Sequence, residues 1–131
     1  MLEQYRLKTN SEGMTDITPV IEKAIVKSGI KDGLCTVYCP HTTAGITINE
    51  NADPDVVHDL LLGISAAFPD RADFRHSEGN SAAHLKASFV GSSATVILKD
   101  GRPVLGTWQG IYFCEFDGPR NRNFYVKIIE G

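Results

Sequence analysis

One stretch limits the architecture more than any other: Thr107 to Phe116, TWQGIYFCEF. Read as a strand, it sets Trp108, Gly110, Tyr112, Cys114 and Phe116 on one face and Gln109, Ile111, Phe113 and Glu115 on the other. Both faces are largely apolar, so this is a central strand, or one covered by another subunit. Glu115 is the exception, a carboxylate on the Ile111/Phe113 face near the strand end. A carboxylate buried there must be paired, ligated or protonated. The nearby loop DGPRNR offers Arg120 and Arg122 as ion-pair partners.

The rest of the chain supplies layers for such a strand. Gln4 to Thr9 alternates weakly and suits a half-exposed strand. DITPVIEKAIVKSGI reads as a helix, with Thr18 as cap, Pro19 at the first position and Gly29 closing it. Ile17, Val20, Ile21, Ala24, Ile25 and Ser28 form its buried stripe. Leu34 to Cys39 is an interior strand, and Pro40 ends its pairing because it has no N–H to donate. PHTTAGITINEN (40–51) then reads as a loop feeding a strand with one apolar and one polar face.

Asp53-Pro54 starts a second helix, whose stripe runs Val56, Val57, Leu60, Leu61, Ile64, Ala67 and Phe68. His58 lies opposite that stripe, facing water, and Asp59 borders it. A polar connection, RADFRHSEGN, leads to a short helix, SAAHLKASF, capped by Asn80 or Ser81. Ala94 to Lys99 and Arg102 to Leu105 flank an Asp100-Gly101 turn and predict a two-residue hairpin. Asn123 to Ile129 is the closing strand. The order β-α-β-β-α-α-β-β-β-β gives an α+β class with mainly antiparallel sheet, and 131 residues fit one domain spanning 1–131.

Composition excludes several function classes. The hydrophobic fraction is 42% and the formal net charge is −3, which speaks against a nucleic-acid partner, since that needs a basic surface to replace counterions. No apolar run approaches the ~18 residues of a membrane span, and no leader follows Met1. The three cysteines (Cys35, Cys39, Cys114) are odd in number and sit in strand-like runs. They read as buried free thiols in a reducing compartment, hence a cytoplasmic protein.

The chemistry-bearing residues fall into three groups. His41, His76 and His84 come from a corner, a loop and a helix. Three imidazoles with an open position would suit a catalytic metal, although no His-x-His or His-Glu-x-x-His spacing is present and each His read alone is an ordinary hydrogen-bonded residue. Glu50, Asp59 and Glu115 offer oxygen ligands for Mg²⁺ or a general base, against surface charge for Asp59 and a salt bridge for Glu115. Arg120 and Arg122 suit bidentate binding of phosphate or carboxylate, against a solvated hairpin loop. Trp108 with Gln109 can stack on and hydrogen-bond a ring, against a plain core or interface Trp. No P-loop or Rossmann pattern occurs.

Three motifs, PHTTAGITINENADPDVVHDL, HSEGNSAAHLKASFVGSS and LGTWQGIYFCEFDGPRNR, together resemble the YjbQ-like family, often labelled secondary thiamine-phosphate synthase. The resemblance covers nearly the whole chain. It implies a small α+β domain with two β-sheets, assembling as a homotrimer. The polar signature positions it implies are His41, Thr42, Asn49, Glu50, Asn51, Asp59, His76, Asn80, His84, Trp108, Gln109, Glu115 and Arg120. The label implies joining a pyrimidine methyl diphosphate to a thiazole phosphate with release of pyrophosphate. On that expectation a divalent metal serves the site, zinc or another transition metal at His41, His76 and His84, or Mg²⁺ on the diphosphate. Arg120 and Arg122 grip phosphate, and Thr42, Asn49, Asn80, Trp108 and Gln109 hold the rest of a phosphorylated small-molecule substrate. A metal-dependent hydrolase of a small phosphate or amide compound is the competing expectation, and a non-catalytic metabolite-binding trimer the third.

Overall fold

The doubly apolar strand lies at the centre of the smaller of two antiparallel sheets in a computed structural model, which describes residues Met1–Gly131. In chain order the strands are β1 (Leu2–Lys8), β2 (Gly13–Asp16), β3 (Gly33–Tyr38), β4 (Ala44–Glu50), β5 (Ser93–Lys99), β6 (Arg102–Pro103), β7 (Gln109–Glu115) and β8 (Asn121–Glu130). Helix α1 spans Thr18–Ser28, α2 Pro54–Ala67 and α3 Ser81–Val90. The large sheet runs β1-β8-β3-β5-β6 and the small one β2-β7-β4.

The two faces of β7 meet different neighbours, as its alternation requires. Ile111 and Phe113 join Ile46 of β4, the inner residues of the large sheet (Cys35, Val37, Val96, Leu98, Phe124, Val126, Ile128) and Ile21, Ala24 and Ile25 of α1 in the main core. Full burial of a side chain such as Phe113 is worth roughly 1.5–3 kcal/mol. Tyr112, Cys114 and Phe116 point the other way and pack on Ala83 and Ala87 of α3 and Val57 and Ile64 of α2. The result is three layers: large sheet, small sheet, and the α2/α3 pair.

Several local expectations are corrected by tertiary contacts. β2 was absent from the expected order; GMTD is short and half polar, and only its register on β7 (Gly13 opposite Glu115, Asp16 opposite Tyr112) makes it a strand. Thr18 does not cap α1. Asp16 Oδ1 accepts the Thr18 N–H at 2.9 Å, while the Thr18 hydroxyl accepts the Ile111 N–H at 2.8 Å and pins the helix to β7. Gly29 does close α1, at φ 70°. Asp53 caps α2 as expected, accepting from the Asp55 N–H at 2.9 Å. Yet no residue of α2 is fully buried, so its stripe only half covers the small sheet. β6 is just two residues long. All three thiols are free and buried, and burial pushes Cys35 up to about 11 and Cys114 up to about 12. No helix is long and apolar enough to cross a membrane.

Candidate functional site

The corner after β3 builds one wall of the site. Pro40 stops the β3 ladder, and His41, Thr42 and Thr43 turn the chain into β4. The bend is tight because Gly45 passes directly over the end of α3: a Cβ there would meet the Gly91 carbonyl oxygen at 2.5 Å. That approach lets the Ile46 N–H donate to Gly91 O at 3.0 Å. It sets the His41 corner beside α3, which carries His84. The 69–80 connection folds back with His76 and Glu78, and the loop before β8 delivers Arg120. These groups line one cleft of about 380 Å³: Pro40, His41, Thr42, Thr43, His76, Glu78, Asn80, His84, Arg120 and Arg122. None is hydrophobic, and Glu78 is the one carboxylate among them.

Beneath the cleft the two sheets are bolted together by charge. Glu115 of β7 receives both the Nε and Nη2 of Arg122 of β8, and the pair is 2% and 5% exposed. Thr9 Oγ1 donates to Glu115 Oε1 at 2.6 Å and the Asp117 N–H to Oε2 at 2.9 Å. Arg122 Nη2 also donates to Thr43 Oγ1 at 2.8 Å. Burial pushes the Glu115 carboxyl up, but the bonds from Arg122, Thr9 and Asp117 outweigh it and hold it below the ordinary carboxylate range. Both carboxylate oxygens are engaged and the proton affinity is low. Glu115 and Arg122 thus form the salt bridge that the sequence offered as the alternative to a catalytic carboxylate.

Arg120 is placed differently. Its side chain is 48% exposed, and its guanidinium donates from Nε to the Asp117 carbonyl and from Nη2 to Asp117 Oδ2, each at 2.8 Å. Nη1 has no partner in the chain and is free for a ligand. Asp117 also takes the Asn80 Nδ2 at 2.8 Å. Burial opposes ionisation of Asp117, and Asn80 and Arg120 together overcome it. That bond fixes the orientation of the Asn80 amide and leaves its buried Oδ1 without a donor, an acceptor available to a ligand O–H or N–H.

The three imidazoles share the cleft but not a common point. His76 and His84 meet edge to face with ring centroids 5.3 Å apart. His41 Nε2 instead accepts the Asn123 backbone N–H at 2.9 Å. No three His, Cys, Asp or Glu side chains are grouped to hold a metal ion, and the His41 lone pair is already used. The donor set does not fit the expected three-histidine metal centre. Burial, followed by the nearby Arg122 charge, holds His41 below its ordinary value.

The other expected residues lie elsewhere. β4 and β7 pair with Ala44 opposite Glu115 and Glu50 opposite Gln109. Six residues at ~3.4 Å put Glu50 and Gln109 about 20 Å from the cleft end of the sheet. There Trp108 is 62% exposed, Gln109 Oε1 accepts the Gly106 N–H at 2.8 Å, and Asn51 donates to Asp16. Asn49 and Asp59 border a separate, mostly apolar cavity beneath α2 that is lined by Leu60, Leu61, Ile64 and Phe68. Asp59 is bonded to the exposed His58 ring at 3.0 Å. Thr9, Thr43, Glu78, Asp117 and Asn123 were not anticipated. Thr43, Glu78 and Asp117 lie inside the quoted motifs without being singled out, and Thr9 and Asn123 carried no such signal.

Comparison with known proteins agrees with this fold. The model of the family described as UPF0047 protein YjbQ-like matches residues 3–131. UPF0047 protein MJ1081 of Methanocaldococcus jannaschii is 61% identical over 130 residues, covering 98% of this chain and 94% of the relative. YugU of Bacillus subtilis is 53% identical over 131 residues, covering 98% and 99%. A crystal structure of a YjbQ/UPF0047 protein from Clostridium acetobutylicum superposes with a TM-score of 0.94 at 57% identity, covering 97% of this chain and 99% of that one. A protein of unknown function from Sulfolobus solfataricus does so with a TM-score of 0.95 at 32% identity, covering 100% and 97%.

Proposed function

We propose that this chain, which belongs to the UPF0047 YjbQ-like family, is an enzyme acting on a small phosphorylated molecule in the His41–His76–His84–Arg120 cleft. The observation that carries this reading is the lining of the cleft: ten residues, none hydrophobic, with a free guanidinium nitrogen, a hydroxyl and three imidazoles. A phosphate is matched by the planar donors of Arg120 and the Thr42 hydroxyl. His76 and His84 are then the groups able to move a proton to a leaving group or from an attacking water. Glu50 sits at the far end of the small sheet and Asp59 borders a separate cavity, so neither lines the cleft.

The condensation of a pyrimidine methyl diphosphate with a thiazole phosphate remains the first reaction to test under this reading. It needs an aromatic surface for the rings, and Trp108 with Gln109 would reach the cleft only from a neighbouring chain. The homotrimer is thus part of the same proposal, supported by the exposure of Trp108, Leu62 and Phe89, as is a cytoplasmic setting suited to free thiols. Hydrolysis of a single phosphate compound is the second reading, favoured by the absence of any apolar lining for a second organic substrate.

Purified protein with Mg²⁺ and both condensation substrates is expected to release pyrophosphate; with simple phosphate esters alone, the second reading expects orthophosphate. Each assay is run with and without chelator. The His84→Ala variant should lose at least about a hundredfold of either activity. Equal product from wild type and variant in both assays would overturn the assignment of the cleft as an active site.

A further inference from the structure

The bond between His41 and Asn123 has a chemical consequence for the cleft. β3 and β8 pair with Tyr38 opposite Tyr125. Carried two residues on, the same register would set Asn123 opposite Pro40, but the ladder stops at Tyr38. The His41 ring accepts the stranded N–H in place of a strand, Nε2 at 2.9 Å. A neutral imidazole has one lone-pair nitrogen and one N–H nitrogen. Were Nε2 protonated, two N–H groups would face each other across that distance.

From this geometry we infer that His41 is locked as the Nδ1–H tautomer and serves in the cleft as a hydrogen-bond donor to a phosphate oxygen of the substrate. It is neither a metal ligand nor a proton acceptor, because both uses need the lone pair that Asn123 occupies. The half-buried ring lines the cleft with Thr42 and Arg120. An imidazole held this way adds a directional donor that stays neutral, beside the mobile charge of Arg120. A loose positive charge alone would attract any anion; a fixed N–H selects the orientation of one oxygen.

The inference rests on reading the cleft as a phosphate site, and the two can fail separately. Full-length ¹⁵N-labelled protein at pH 7 is expected to show His41 with Nδ1 protonated and Nε2 bare in two-bond imidazole correlations. Inorganic phosphate, titrated by NMR, should bind His41→Gln about tenfold more weakly than wild type, since glutamine offers Asn123 its Oε1 as acceptor but has no nitrogen at the Nδ1 position. His41→Asn, which presents an amide N–H near the Nδ1 position, should recover most of that loss. An Nε2–H tautomer overturns the lock whatever binds. Phosphate binding unchanged in His41→Gln but lost in Arg120→Ala overturns the donor role and leaves the cleft reading standing. A wild type that binds no phosphate overturns the cleft reading and the donor role together, while the tautomer measurement still decides the lock.

Discussion

Arg120 and Arg122 are two residues apart and lead opposite lives. Arg122 points inward from β8, 5% exposed, with its donors shared between Glu115 and Thr43. Arg120 stands at the mouth of the cleft, bonded to Asp117 but with Nη1 free. The strand period of two gives them the same parity, so alternation alone cannot separate them. What differs is that β8 begins at Asn121: Arg122 is inside the ladder over the gap between the sheets, whereas Arg120 is still in the loop. The buried pair fixes the geometry between the sheets, whereas the half-exposed one leaves much of its side chain open to solvent at the cleft.

The sharpest way to break this comparison is to remove one partner of the buried pair. Arg122→Met or Glu115→Leu strands a charge between the sheets and should cost about 3–5 kcal/mol in urea unfolding, while the double replacement should recover much of that loss. A single variant as stable as wild type would mean that the pair does not bolt the sheets. Next in size is Gly45→Ala, whose Cβ must push against the Gly91 carbonyl. It should lose about 1–3 kcal/mol and weaken phosphate binding by displacing the His41 corner.

The acid limb of stability tests the same pair without mutation. The folded state holds Glu115 and Asp117 below their ordinary values, so it binds fewer protons than the unfolded chain. Their contribution is complete above the ordinary carboxylate range and is lost as the pH falls through the lowered folded values. Unfolding midpoints should therefore drop on acidification, and less steeply in the Glu115→Leu/Arg122→Met background. The smallest structural effect belongs to Arg120→Ala, expected to leave the melting midpoint nearly unchanged while weakening phosphate binding. A large fall in midpoint would make the two arginines alike after all.

How much of this was legible in the sequence varies with the range of the interaction. Alternation along TWQGIYFCEF was enough to mark Glu115 as a carboxylate in need of a partner, because a strand's faces are set by local geometry. Choosing Arg122 over Arg120 required knowing where β8 starts and how two sheets face each other. The capping of α2 by Asp53 is local and was legible. β2 and the use of Thr18 by Ile111 were not, since each exists only through β7, about a hundred residues away in sequence. The assembly of His41, His76 and His84 into one cleft followed the family motifs. The same motifs include Glu50, Trp108 and Gln109, which the antiparallel pairing of β4 with β7 carries to the opposite end of the small sheet.

The three buried thiols turn the protein into its own stopwatch. Burial raises all of them away from the reactive thiolate form, so an alkylating reagent reacts only when the structure opens. Cys35 reports from the large sheet and Cys114 from the small one, with Cys39 just past the end of β3. Mass-resolved labelling of the three sites over time would show whether the sheets part together, as the Glu115–Arg122 bolt requires, or whether the small sheet under its half-covering helix α2 opens first.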